Sequence, residues 1–389
     1  MNLILHIGTP KTGTTAVQRF LHHNRRALTE YGFHQATTPP HNLGHANSIA
    51  DALYASDHRA VQTFLASHVK SARQRGADTI LISAENFYVR NVLLAMQRGE
   101  VCPNALEDDR RVVQKLRALL PDELATCRIV CYFRRPDRYA ESLYNQHVKR
   151  GVIDGTFDEF LSRIEPVLHY DTCVRSWADV FGRRNCAVRL YDTVKNDVVG
   201  DFVTNVLGIQ DVAQFSHAHK QENERISRDL LEFKRLKNRT ARFSERYLDC
   251  AVFHLIEKEV GLLREEPESY QDFLSPDDRA EFLRRLQPEL DALEASHGVP
   301  RFPPFDVEIA RATWSPYPGL TRERRKVIEL HYDRINGRMA FRLERSVTRS
   351  AGFLRRTVPG TGVVIDALKR VGAKRAVHGF AVGLQRGIS

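Results

Sequence analysis

Short apolar runs alternate along this chain with longer stretches of helical periodicity. Asn2–Ile7 (NLILHI), Asp78–Ser83 (DTILIS), Arg128–Phe133 (RIVCYF) and Ala187–Leu190 (AVRL) are too short for helices and too continuously apolar for half-exposed strands. Such runs read as strands buried on both faces, the mark of a parallel sheet covered by helices. After the turn GTPKTG, Val17, Phe20, Leu21 and Leu28 share one helical face, with Thr14 or Thr15 placed to cap it and Gly32 just past its end. Pro39-Pro40 breaks the chain before a polar loop and a helix from about Ser48; His58–Gln74 and Asp108–Leu120 carry further helical patterns. Beyond about Gln221 the reading is helical almost throughout: Asn223–Thr240, Glu245–Leu263, Ser275–His297 and Leu320–Arg345. No internal repeat is visible. The pattern predicts an α/β core over about 1–215 and a helical portion over about 216–345, together one domain, followed by an extension over 346–389.

Composition narrows the class. Of the 389 residues, 42% are hydrophobic and 27% charged, enough for a sizeable core and against disorder as the main state. The six cysteines contain no CxxC pair and read as reduced thiols. The apolar stretch at the N-terminus is too short for a signal peptide, and no run approaches the ~20 apolar residues a bilayer span needs. The expected location is the cytoplasm. The formal charge of +10 is unevenly spread: Arg322–Ser389 holds 16 Lys/Arg and 5 Asp/Glu, a surplus of 11, so the preceding residues sum to −1.

The candidate chemistry begins at IGTPKTGTT (Ile7–Thr15), which leaves a strand and opens a helix. Backbone N–H groups at a helix N-terminus, with the helix dipole behind them, form an anion site. Gly8 and Gly13 permit tight backbone geometry, Lys11 supplies a cation, and Thr14 and Thr15 supply hydroxyls. A nucleotide triphosphatase loop reads GxxxxGK[ST], with Lys after the second Gly. Here Thr14 occupies that place and Lys11 lies three residues earlier, which suits a shorter phosphate chain. The loop makes the expected fold a P-loop-type three-layer arrangement.

A second motif follows the third strand. In YFRRPDRYAESLYNQ (Tyr132–Gln146), Arg134 at the strand end and Ser142 in the next helix lie eight residues apart, both within reach of one phosphate. PKTGTT near the N-terminus together with RRPDRYAES after a later strand resembles the family of sulfotransferases that use 3′-phosphoadenosine 5′-phosphosulfate (PAPS), especially its bacterial and Golgi-type carbohydrate members. The resemblance implies that Pro10, Lys11, Thr12, Gly13, Thr14 and Thr15 form the 5′-phosphosulfate loop and that Arg134 and Ser142 hold the 3′-phosphate. VRLYDTVKND (Val188–Asp197) is similar to the segment lining the family's adenosine pocket; Tyr191 stacks there or is simply a core aromatic. ENERISRDLLEFKRLKN (Glu222–Asn238) also looks like a later segment of such members. No metal is expected.

Sulfuryl transfer needs a base for the acceptor hydroxyl. Glu85 follows the second strand directly in ILISAENFY, and the resemblance implies a glutamate base there, where cytosolic aryl members use histidine. Capping the following segment is its other reading. Lys11 would neutralise charge on the leaving phosphate. His41 and His45 in HNLGH have i, i+4 spacing but lack a third ligand, so they read as loop histidines, while His6 reads as a satisfied interior histidine. By likeness to glutamate-base members the acceptor is a carbohydrate or glycolipid. The alternatives are a P-loop kinase or hydrolase and a non-catalytic nucleotide-binding protein docked on membrane. The tail from Met339 carries Arg342, Arg345 and Arg349 beside Phe341, Leu343 and Val347, compatible with an anionic membrane surface or a solvated end. Nucleic acid is not an expected partner, because aromatics for base stacking are sparse.

Overall fold

The computed structural model describes residues 1–38, 45–97, 105–124, 126–212, 214–216, 226–241, 243–261 and 266–337. Five strands form one parallel sheet in the order β2-β3-β1-β4-β5: β1 Asn2–Gly8, β2 Phe33–Ala36, β3 Thr79–Ser83, β4 Thr126–Phe133 and β5 Cys186–Leu190. All five residues of β3 are buried, as are Leu3–Gly8 in β1, because helices cover both faces. Central β1 pairs with β3 (His6 opposite Ser83) and with β4 (His6 opposite Val130), and its register slips between His6 and Gly8. β2 is absent from the hydropathy reading. Only its alternate residues His34 and Ala36 are buried, so as an edge strand its apolar run is too short to stand out.

The first helix differs from expectation at both ends. Gly13, at φ 78°, is its N-cap, and α1 runs Thr14–His23 with Thr14 already inside the helix. Neither Thr14 nor Thr15 caps it. A left-handed residue is needed there, and glycine adopts that conformation without a Cβ penalty. The helix then breaks at Asn24 before α2, Arg25–Glu30, and Asn24 Nδ2 donates to both Phe20 O and Ser216 O, at 3.0 and 3.1 Å. Next come α3 (Asn47–Tyr54), α4 (His58–Gln74), α5 (Asn86–Gln97) and α6 (Ala105–Leu119), then α7 (Pro136–Lys149), α8 (Phe157–Ile164) and α9 (Tyr170–Phe181). The short α10 (Tyr191–Val194) and α11 (Val198–Asp201) follow β5.

The described residues fall into two compact units, one drawn from 1–143, 157–222 and 274–312, the other from 144–156, 223–273 and 313–337. The first holds the sheet and the long helix Pro276–His297, whose N-cap Ser275 accepts from Asp278 N. In the second, Ser227 caps α12 (Arg228–Thr240), and α13 (Phe243–Val260) follows. The rings of Phe233, Phe253 and Tyr332 pack at 5.7–6.1 Å, and Asn238 Nδ2 donates to Val148 O and Ile153 O. Residues 322–337 are helical. His41, the start of the Glu222–Asn238 segment and the basic tail lie outside the described residues. Among the described residues no helix is long and apolar enough to cross a membrane.

Under the helices beside β3 lies a carboxyl group the sequence did not single out. Asp109 Oδ1 on α6 accepts from Tyr54 Oη at 2.8 Å and Asn91 Nδ2 at 2.6 Å. Burial pushes this carboxyl up to about 7, against the pull of both donors. A carboxyl raised above its unfolded value holds its proton more tightly in the native state. Its contribution to stability is therefore full below about pH 4 and lost as pH rises through about 7. Asp109→Asn keeps the acceptor oxygen and should flatten stability across that window, raising the urea midpoint at pH 8 above wild type. Equilibrium unfolding at several pH values checks this, and an unchanged wild-type slope counts against it.

Candidate active site

In an open parallel sheet, ligands lie beyond the carboxyl ends of the strands, where the chain leaves the central strand to either side. Four adjacent strands here end in the residues singled out from the sequence. β1 runs into the loop Gly8–Gly13, β3 into Glu85, β4 into Arg134 and β5 into Tyr191.

The loop is held from below. Thr9 donates twice to the Tyr132 carbonyl at the end of β4, from its N–H at 3.1 Å and its hydroxyl at 2.9 Å. Thr12 Oγ1 donates to Thr9 O, closing the turn on itself. Pro10, Thr12 and Thr14 are buried, while Lys11, Gly13 and Thr15 are part-exposed. Lys11 sits at φ 66°, a left-handed conformation uncommon for a residue with a Cβ. Strain of about 1–3 kcal/mol at such a position persists only where the surroundings over-determine it.

Glycine is required by contact as well as by φ. A methyl on Gly13 would stand 2.7 Å from Val198 Cγ1 and 3.5 Å from Tyr191 Cε2. A methyl on Gly8 would meet Glu85 Cβ at 3.3 Å. The loop is thus wedged between Glu85 on one side and Tyr191 with Val198 on the other. Sequence reasoning passed over Val198, whose only signal is an apolar residue in a polar stretch.

Glu85 faces this loop. Among the described residues its carboxylate meets the Thr14 hydroxyl, Thr14 Oγ1 donating to Glu85 Oε2, and the first-turn N–H of Tyr88 in α5 is met by the Glu85 carbonyl. Beneath it, His6 Nδ1 and Ser83 Oγ lie 2.9 Å apart, and Gln18 Nε2 donates to Ser83 Oγ at 3.2 Å. Burial pulls His6 down to about 4, so it is neutral near pH 7. His6 is interior as expected but only half satisfied, because among the described residues its buried Nε2 meets no hydrogen-bond partner. His45 is partly exposed, and the Ala46 N–H beside it donates to Ser83 O, tying its segment to the β3 end.

Arg134 and Ser142 lie beyond β4. Tyr170 Oη donates to the Arg134 carbonyl at 2.7 Å, and the Arg134 guanidinium carbon sits 5.8 Å from the centre of the Tyr191 ring. Tyr191 is part-exposed: it packs against the core cluster that includes Val198 and Phe202, and it also lies beside Gly13 and the Arg134 guanidinium, so neither reading of it is removed. Ser142 is part-buried in the second turn of α7. The neighbouring Arg135 N–H donates to Asp192 Oδ2 at 2.6 Å, linking the β4 end to the residue after Tyr191. Arg135 and Asp192 had no signal in the sequence beyond lying inside the two motifs.

A loop of backbone amides with a lysine, a carboxylate and an arginine beside an aromatic ring has the donors for a doubly anionic nucleotide and an acceptor for a proton. No curated protein matches the chain. A crystal structure of a sulfotransferase from Alicyclobacillus acidocaldarius is similar to 77% of this chain and 97% of its own, at 14% identity and a TM-score of 0.42. Residues 2–294 match the model of the family described as Sulfotransferase domain, so the chain belongs to the sulfotransferase family.

Proposed function

We propose that this enzyme moves the sulfuryl group of PAPS to a hydroxyl of a carbohydrate or glycolipid acceptor, releasing 3′,5′-adenosine bisphosphate (PAP). The observation that carries the reading is the assembly at one sheet edge: the loop Gly8–Gly13 pinned to Tyr132, Thr14 bonded to Glu85, and Arg134 over Tyr191. Family membership favours sulfuryl transfer over the kinase or hydrolase alternative.

In the proposed roles, the α1 N-terminus, Pro10–Thr15 and Lys11 hold the 5′-phosphosulfate. There they neutralise charge that builds on the 5′-phosphate oxygen as its bond to sulfur breaks. Arg134 and Ser142 hold the 3′-phosphate, and Tyr191 flanks the adenosine. Glu85 takes the proton of the acceptor hydroxyl as its oxygen bonds to sulfur. The Thr14 hydroxyl, already donating to Glu85, keeps that carboxylate at the loop. Positioning and electrostatics supply the rate, and no metal has a role in this scheme. The proposed setting is the cytoplasm, with the basic segment 346–389 resting on an anionic inner membrane surface. Truncation after Arg345 should then abolish co-sedimentation with phosphatidylserine vesicles and leave PAP binding intact; retained co-sedimentation refutes the membrane role.

Calorimetry with PAP in the presence of chelator tests the nucleotide site, and a result of no binding sinks it. Arg134→Ala should weaken PAP by ~1.5–3 kcal/mol, the scale of a charge-assisted contact, while leaving adenosine 5′-phosphosulfate nearly unaffected. Equal losses for both would show that Arg134 does not read the 3′-phosphate.

Glu85→Gln retains an oxygen for Thr14 to donate to, so the loop should hold its form while proton acceptance is lost. Turnover should fall ~10²–10⁴-fold with PAP affinity unchanged. Acceptors are first found by screening saccharides and lipid extracts with radiolabelled PAPS. A variant that keeps more than about a tenth of the rate would move the base elsewhere, first to His41 or His45.

A further inference from the structure

Arg279, on the helix Pro276–His297, is only 1% exposed and heads the largest fully buried side chains. Its guanidinium reaches α7. Nη1 donates to Asp137 Oδ2 at 2.5 Å, and Nη2 donates to Glu141 Oε1 at 2.6 Å. Both acceptors are themselves buried, at 0% and 3% exposure. Each has a second cation as well. Arg135 forks onto Asp137 at 2.8 and 2.9 Å, and Arg138 Nη1 donates to Glu141 Oε2 at 3.1 Å. Burial alone would raise the Asp137 carboxyl, but Arg135 and Arg279 outweigh it and hold it at about 2.

Arg135 and Arg138 each meet one of the two carboxylates, whereas Arg279 meets both. Without Arg279, Asp137 keeps Arg135 and Glu141 keeps Arg138. Buried ionic clusters are seldom more stable than apolar replacements of similar volume, so stability alone gives a weak reason for Arg279. Direction is what it adds. Asp137 and Glu141 lie four residues apart on one face of α7, and a planar fork bonded to both fixes the rotation and axial position of that helix. Tyr139 and Leu143, its buried apolar contacts, lack such directionality.

The site's geometry depends on that rotation. Arg134 precedes the helix, and its backbone is fastened by Tyr170, with Asp192 fastening Arg135 next to it. Ser142 adjoins Glu141 in the helix itself, so its position follows α7. Two groups that meet one phosphate from a strand end and from a helix converge only if the helix is fixed relative to the strand.

We infer that Arg279 is a positioning residue that sets selectivity for a 3′-phosphorylated nucleotide, by locking α7 so that Ser142 and Arg134 address the same phosphate. This rests on the nucleotide reading above. Calorimetry with PAP and with adenosine 5′-monophosphate (AMP), which share the 5′-phosphate, measures the selectivity directly. Arg279→Met leaves both carboxylates paired and should fold. Its preference for PAP over AMP should fall about tenfold, the scale of one charge-assisted hydrogen bond, with AMP affinity within about twofold of wild type. Arg279→Lys restores charge without the fork and should leave selectivity close to that of Arg279→Met. At saturating acceptor the KM for PAPS should rise while kcat holds.

Several results overturn the inference: wild-type selectivity in a folded Arg279→Met, equal losses of PAP and AMP, or failure of both variants to fold, which would make Arg279 a folding residue. A wild-type protein that binds PAP no better than AMP refutes the 3′-phosphate reading itself. That outcome is distinct from a selective wild type whose Arg279 variants stay selective.

Discussion

The two hydrogen bonds from Thr9 to the Tyr132 carbonyl join the loop after β1 to the end of β4, and the rest of the site is arranged around that join. A sheet buried on both faces offers ligands only its edge of strand ends, where carbonyls and N–H groups leave the ladder and need partners. Thr9 satisfies one such carbonyl and in doing so brings the loop across from β1 towards Arg134. On the other side Glu85 closes over Gly8 and takes the Thr14 hydroxyl. Thr9, Thr12 and Glu85 thus set the loop's conformation through contacts within the protein.

Around this edge the protein sets buried charges in closed groups. Asp201, 8% exposed, accepts from Tyr132 Oη at 2.7 Å, from Asn205 Nδ2 at 2.9 Å and from the Arg189 guanidinium. Tyr132 thus fixes β4 twice, by its carbonyl to the loop and by its hydroxyl to the segment after β5. The cluster of Arg135, Asp137, Glu141 and Arg279 does the same for α7. These networks surround the site rather than enter it. Stripping a buried carboxylate of its last partner would be costly, and the fixed directions of these bonds make the backbone positions specific.

Much of the fold was legible because its strands are buried on both faces. Leu3, Leu5, Ile80, Ile82 and Val130 form continuous apolar runs that no exposed element would carry. The helices Ser275–His297 and His58–Gln74 were legible from periodicity. The phosphate loop and the Arg134–Ser142 spacing were legible as motifs, and the sheet brings Glu85 and Tyr191 to the same edge. β2 escaped notice because an edge strand needs only a half-apolar pattern. Thr14 was misread as a cap because its hydroxyl is engaged by a residue 71 positions away.

What the sequence by itself determined was the order of elements and the chemistry on each strand end: apolar period fixes strand and helix, and local spacing places Lys11, Arg134 and Ser142. What only the tertiary structure decided was which side chains meet. The partnership of Thr14 with Glu85, the wedge of Val198 against Gly13 and the reach of Arg279 across 142 residues to Asp137 all join distant stretches of chain. Local propensity extends over a few residues, whereas such contacts exist only after the strands have paired and their ends have been brought side by side.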